Sequence, residues 1–101
     1  MFYVFRQNNS GGSWDIDELN GIGKIVIVEA DNEDSAVEEA LKIGLYFDGV
    51  RKGIDCECCG DRWDGYPDEY DTLYDISECV AIANRKPVYV HQRDMIVEEL
   101  N

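Results

Sequence analysis

The sequence predicts an α+β fold: a small two-layer sandwich, with a mostly antiparallel sheet of about four strands and two helices, in a single domain over residues 1–101. Three observations carry this. Short β-branched and aromatic runs, "FYVFRQ", "KIVIVEA" and "VYVH", recur along the chain. One segment, "DNEDSAVEEALKIG", has the pattern of a capped amphipathic helix. The resulting order, β-β-α-loop-α-β-β, lets helices cover one face of a sheet.

Phe2 to Gln7 reads as the first strand, with Phe2 and Val4 on one face and Tyr3 and Phe5 on the other. Asn8 to Ser13 is a loop by composition, and Trp14 to Gly23 is irregular. Lys24 to Ala30 is nearly all β-branched, as in a central strand covered on at least one face. Asp31 or Asn32 then caps a helix, and Asp31 and Asp34 have capping-box spacing. Glu33 and Asp34 sit where the helix dipole favours anions. Val37, Ala40, Leu41 and Gly44 recur at helical spacing, Glu38 and Lys42 form an i,i+4 pair, and Gly44 ends the helix.

Leu45 to Ile54 has no clear period, and Asp55 to Asp71 reads as a long ordered loop. Thr72 to Pro87 reads as a second helix, with Thr72 as cap and Asp75 at the box position. Leu73, Ile76, Val80 and Ala83 recur at its spacing, and Asn84 and Pro87 close it. The alternative is a strand at "CVAIA" paired with "VYVH" across "NRKP". Val88 to His91 is a strand, "QRD" a turn and "MIVEE" a final strand.

The net charge of −13 argues against direct nucleic-acid or anionic-membrane binding, which needs Lys and Arg to displace counterions, and it favours basic partners. Nine carboxylates fall between Asp55 and Glu78, against one cation, Arg62. No apolar run approaches the ~18 residues of a membrane span. In "MFYVFRQ" the cation follows the apolar residues, the reverse of a signal peptide, so a cytoplasmic location is expected.

Three of the four cysteines fall in "DCECCGDRW". Cys56 and Cys59 have C-x-x-C spacing followed by Gly60, the shape of half a zinc knuckle. The glycine lets the chain turn so that backbone amides face the sulfurs. Cys79 and His91 are the Cys and His candidates outside the cluster for a full site, and Cys58 is a third local one. Acidic neighbours Asp55, Glu57 and Asp61 oppose a low-pKa redox pair. A small buried cysteine in a tight turn is the plainer reading, so no cofactor is the default and zinc the alternative.

The other candidate is "RQNNSGGSW". Arg6, Asn8, Asn9, Ser10 and Ser13 offer many donors after a strand, and Trp14, with Arg62 and Trp63 from the cysteine segment, adds planar and cationic groups for a nucleotide-like ligand. The spacings of established phosphate loops are missing. Nor is there a nucleophile elbow, an H-E-x-x-H motif or a carboxylate pair that stands out, so a non-enzyme is expected.

The segments "FYVFRQNNSGGSW" and "DCECCGDRW" resemble those of small uncharacterised proteins of tailed bacteriophages, over about a quarter of the chain. The resemblance transfers no activity and no site residue. It implies a context: a binding protein in the host bacterial cytoplasm that inhibits a host factor such as a defence system. Two modes fit. The acidic loop can meet a basic host protein as a DNA mimic does. Alternatively, the two polar loops can sequester a nucleotide-derived small molecule, in a pocket that a homo-oligomer can place between subunits. A zinc-stabilised interaction module using the C-x-x-C-G cluster is the competing class.

Overall fold

The computed structural model describes residues 1–8, 14–77, 87–93 and 97–99. Among these, five strands form one mixed sheet: β1 (Phe2–Arg6), β2 (Ile25–Glu29), β3 (Asp68–Tyr70), β4 (Val88–His91) and β5 (Val97–Glu99). Their spatial order is β3-β1-β2-β4-β5. β1 is antiparallel to β2 and β3, and β5 is antiparallel to β4. The central pair, β2 and β4, is parallel, with Ile25 opposite Val88 and Ile27 opposite Val90.

β2 explains the architecture. Ile25, Val26, Ile27 and Val28 are all buried, and successive side chains of a strand point to opposite faces. Both faces therefore need cover. On one, Tyr3, Phe5, Val26 and Val28 pack with Ala36 and Ala40 of α1 (Glu33–Ile43), together with Leu45 and Trp63. On the other, Val4, Ile25, Ile27, Val88 and Val90 pack with Ile76 of α2 (Leu73–Ser77). The sequence reading placed both helices on one face. The structure replaces that two-layer sandwich with a sheet covered on both sides.

The helix termini form by the expected chemistry. Asn32 is the α1 cap, its side chain accepting from the Ser35 amide at 2.8 Å, and Gly44 (φ 124°) is the C-cap. The Asn32 cap stands in place of the Asp31–Asp34 box that the spacing suggests, while Thr72 caps α2 as expected: the Asp75 amide donates to the Thr72 hydroxyl at 3.2 Å, which donates to the Asp75 carboxylate at 3.1 Å. The expected α1 stripe is rotated. Ala36 and Ala40 are buried while Leu41 is half exposed, and Lys42 pairs with Glu39 rather than Glu38. The segment expected as "CVAIA", whether helix or strand, lies outside the described residues. "MIVEE" is described only as β5.

Two short elements were absent from the sequence reading. Glu18–Asn20 forms a single 3-10 turn capped by Asp17. β3 lies inside what reads as continuous loop, and its register on β1 sets Asp68 opposite Val4, diagonal to Arg6, with which it pairs.

Candidate functional site

The cysteine segment is a projecting loop held to the body of the protein by its own polar groups. Its foot is a bridge between Gln7, just past β1, and Trp63. Beside it the Asn8 amide donates to the Arg62 carbonyl at 2.8 Å. The Asn8 side chain donates to the carbonyls of Cys59 at 2.6 Å and Asp61 at 3.3 Å. The Asp61 carboxylate accepts the Val50 amide at 2.9 Å. The amides of Ile54 and Asp55 both donate to the Gly49 carbonyl. That wrap brings the Asp55 carboxylate into the space a side chain at residue 49 would fill: a Cβ on Gly49 would lie 1.8 Å from Asp55 Oδ2.

Beneath the loop is a buried polar network. The Asp55 side chain is 2% exposed and that of Arg62 11%. Asp55 Oδ2 accepts the Arg62 amide at 2.8 Å, and Oδ1 accepts the Tyr46 hydroxyl at 2.8 Å. Arg62 donates through Nε to the Tyr46 oxygen at 3.1 Å and through its terminal nitrogen to Gln7 Oε1 at 2.9 Å. Gln7, 1% exposed, also accepts the Asp15 amide and donates to the Gly23 carbonyl. Burial, followed by the hydrogen bond to Asp55, raises the Tyr46 hydroxyl pKa above its usual value; Arg62 opposes this.

At the tip, Cys56 to Gly60 turns tightly. The amides of Cys59 and Gly60 donate to the Cys56 carbonyl at 3.2 and 3.0 Å, and Gly60 takes the left-handed φ of 85° that glycine accommodates. The turn gathers the Sγ atoms of Cys56, Cys58 and Cys59 within 4.8 Å of one another. Cys56 and Cys58 sulfurs are 2.8 Å apart, and those of Cys58 and Cys59 3.5 Å. Cys58 and Cys59 are exposed, and Cys56 lies at the surface with part of its area covered. The Cys58 thiol and the amides of Cys58 and Cys59 lower the Cys56 pKa, the amide arrangement the C-x-x-C-G spacing predicts. Cys58, facing both neighbouring sulfurs, is pushed up to about 11. Thiolates on one tetrahedral zinc, each at about 2.3 Å, lie roughly 3.8 Å apart, so the three sulfurs are close to a ligand set.

The expected metal set of Cys56, Cys59, Cys79 and His91 is thus redrawn. Cys58 joins Cys56 and Cys59. His91 lies outside the sulfur group, with Nε2 2.8 Å from the Gly21 carbonyl oxygen. Cys79 lies outside the described residues.

The expected ligand set is divided. The structure does bring the two polar segments together, through Asn8 and the Gln7–Trp63 bridge. Trp63, however, is 2% exposed and packs in the core, so its ring is not offered to a ligand. Arg62 is buried in the network, and Arg6 pairs with Asp68. Trp14 is partly exposed, with the Lys24 ammonium 4.8 Å from its ring centroid. Asn9, Ser10 and Ser13 lie outside the described residues.

The sequence reading missed Gln7, Tyr46 and Asp55 as the framework of the loop. The available signal was Gln7 itself, a polar residue continuing an apolar strand. A separate cavity of about 570 Å³ was also missed. It opens past the carboxyl ends of β2 and β4, where Ser35, Lys42, His91 and Arg93 contribute to its wall. Its cations are matched from within, Arg93 by Asp31 and Lys42 by Glu39.

Among the described residues no helix is long and apolar enough to cross a membrane. Neither a curated protein nor a solved structure matches the sequence. The chain does match, over residues 1–100, the model of one family, described as a domain of unknown function, DUF7296, and it belongs to that family.

Proposed function

We propose that this protein is a non-catalytic binding module whose working surface is the cysteine loop, and that the loop takes a thiophilic metal ion of the zinc type. One observation carries the reading: three thiol sulfurs lie within 4.8 Å of one another on a single exposed turn. Three thiolates carry the softness that selects such ions, and the amides facing Cys56 favour its charged form. Native mass spectrometry after equimolar zinc addition tests it. One zinc per chain is expected in the wild type, with protection of the three thiols from iodoacetamide, and neither in the Cys56→Ser/Cys59→Ser variant. A wild-type protein that stays at its bare mass would rule the metal out.

A second reading, inhibition of a basic bacterial host protein by acidic surface matching, has its own support. Arg62, the single cation from Asp55 to Ser77, is turned inward, so the exposed part of that segment presents carboxylates without a cation of its own. The host-directed role and the bacteriophage context remain part of this proposal. Capture of such a partner is expected to weaken steeply with salt; retention at high ionic strength would count against it. Sequestration of a nucleotide-like molecule by Arg62 and Trp63 finds less support, because both are committed to the interior.

A further inference from the structure

We infer that the metal held by Cys56, Cys58 and Cys59 is exchangeable cargo, handed to and from thiol-bearing acceptors, and not a structural staple. This rests on the metal reading above and adds how the site works. A structural zinc site is closed, and the ion supplies the folding energy of the segment around it. Here the two properties are separated. The chain's own polar groups tie the turn down: Asn8 holds the carbonyls of Cys59 and Asp61, Asp61 holds the Val50 amide, and Asp55 holds the Arg62 amide. The Cys56 carbonyl collects the amides of Cys59 and Gly60. The loop is thus fixed by backbone and side-chain polar groups, from the buried Asp55–Arg62 network up to the carbonyls of Cys56 and Cys59, while the three cysteines that carry the sulfurs lie at the surface.

Exposure of the sulfurs gives an incoming ligand a direct path to the ion. Transfer is then ligand exchange with no change of oxidation state. A thiolate of the acceptor bonds to the metal as one cysteine Sγ–metal bond breaks, and the freed cysteine takes up the proton the acceptor thiol has lost. Repeating this at each sulfur moves the ion. The preformed turn keeps the three sulfurs together for reloading, because the emptied loop has no folding to repeat.

The test uses the full chain loaded with zinc. Far-UV circular dichroism and urea melts compare the zinc-free wild type with the Cys56→Ser/Cys58→Ser/Cys59→Ser variant. Zinc release is followed by stopped flow with a chromogenic pyridylazo chelator at several excesses. Cooperative melts with coincident midpoints are expected for the two metal-free proteins. The release rate is expected to rise in proportion to chelator concentration, about tenfold for a tenfold increase, since the acceptor attacks the bound ion. A release rate independent of chelator concentration would overturn the inference, because the ion would then leave only when the loop opens. So would a zinc-free wild type that is unfolded. Cys79→Ser supplies a further check. A tenfold or greater loss of zinc affinity in that variant would mean a closed four-thiolate site and defeat the cargo role while leaving metal binding intact. Absence of zinc uptake by the wild type would remove the metal reading itself.

Discussion

Arg62→Ala is expected to destabilise the protein by roughly 3–5 kcal/mol in urea denaturation, a large effect for a single polar substitution. The size follows from what remains. The Asp55 carboxylate, 2% exposed, keeps its place under the loop but loses the neighbouring guanidinium, and Gln7 and the Tyr46 oxygen each lose a donor. Removing one member of a buried charged pair costs far more than the pair contributes, because desolvation of the survivor is no longer compensated. Arg62→Lys should recover little. The native side chain donates from Nε and a terminal nitrogen in two directions, which an ammonium on a flexible stem does not reproduce. Removing both charges in Asp55→Asn/Arg62→Met should cost less than Arg62→Ala alone. A measured loss below about 1 kcal/mol for Arg62→Ala would show that water reaches the network and that the loop base is not sealed.

Trp63→Ala should cost a similar amount, roughly 3–5 kcal/mol, by a different mechanism. Trp63 is the largest fully buried side chain and packs with Tyr3, Phe5 and Val26 on the α1 side of the sheet. Truncation leaves a cavity that the surrounding strands are too constrained to close. It also weakens the foot of the cysteine loop, since Trp63 bridges Gln7. The two tryptophans give a direct readout. Trp63 should emit at short wavelength and Trp14, more than a third exposed, at long wavelength, so the variant should lose the blue component before any denaturant is added. Unchanged emission and an unchanged melt would place Trp63 at the surface after all.

Local chemistry made much of this fold legible. "FYVFR", "IVIVE" and "VYVH" carry their strands in residue type, and Asn32, Gly44 and the Thr72–Asp75 box carry the helix ends. β3 is not legible because "DEY" is short and, among the described residues, pairs with β1 alone at the sheet edge, where Tyr70 is its one apolar contact with the core. The sheet's second cover was half legible. An unbroken run such as Ile25 to Val28 implies burial on both sides, but nothing local says which later segment provides it.

The site divides the same way. The thiol turn is local, and C-x-x-C-G spacing encodes it. The roles of Arg62 and Trp63 depend on Gln7, which lies 55 residues from Arg62 in sequence. Residue type suggested recognition for both, and only the tertiary pairing shows that they hold the loop in place.

The parallel pairing of β2 with β4 also constrains the order in which a growing chain can fold. β1, β2 and α1 are complete by Ile43 and can form a hairpin with one helix against it. The opposite side of β2, Ile25 and Ile27, waits for Ile76 of α2 and then for Val88 and Val90, all of which leave the ribosome only after the cysteine loop and β3 have been made. During that interval the nascent chain carries an uncovered aliphatic stripe beside an unpaired strand edge, the combination that invites association between neighbouring chains. The chain made during this interval includes Asp55 to Glu78, which carries nine carboxylates against one cation. Its mutual repulsion between nascent chains would keep the stripes apart until β4 closes the seam.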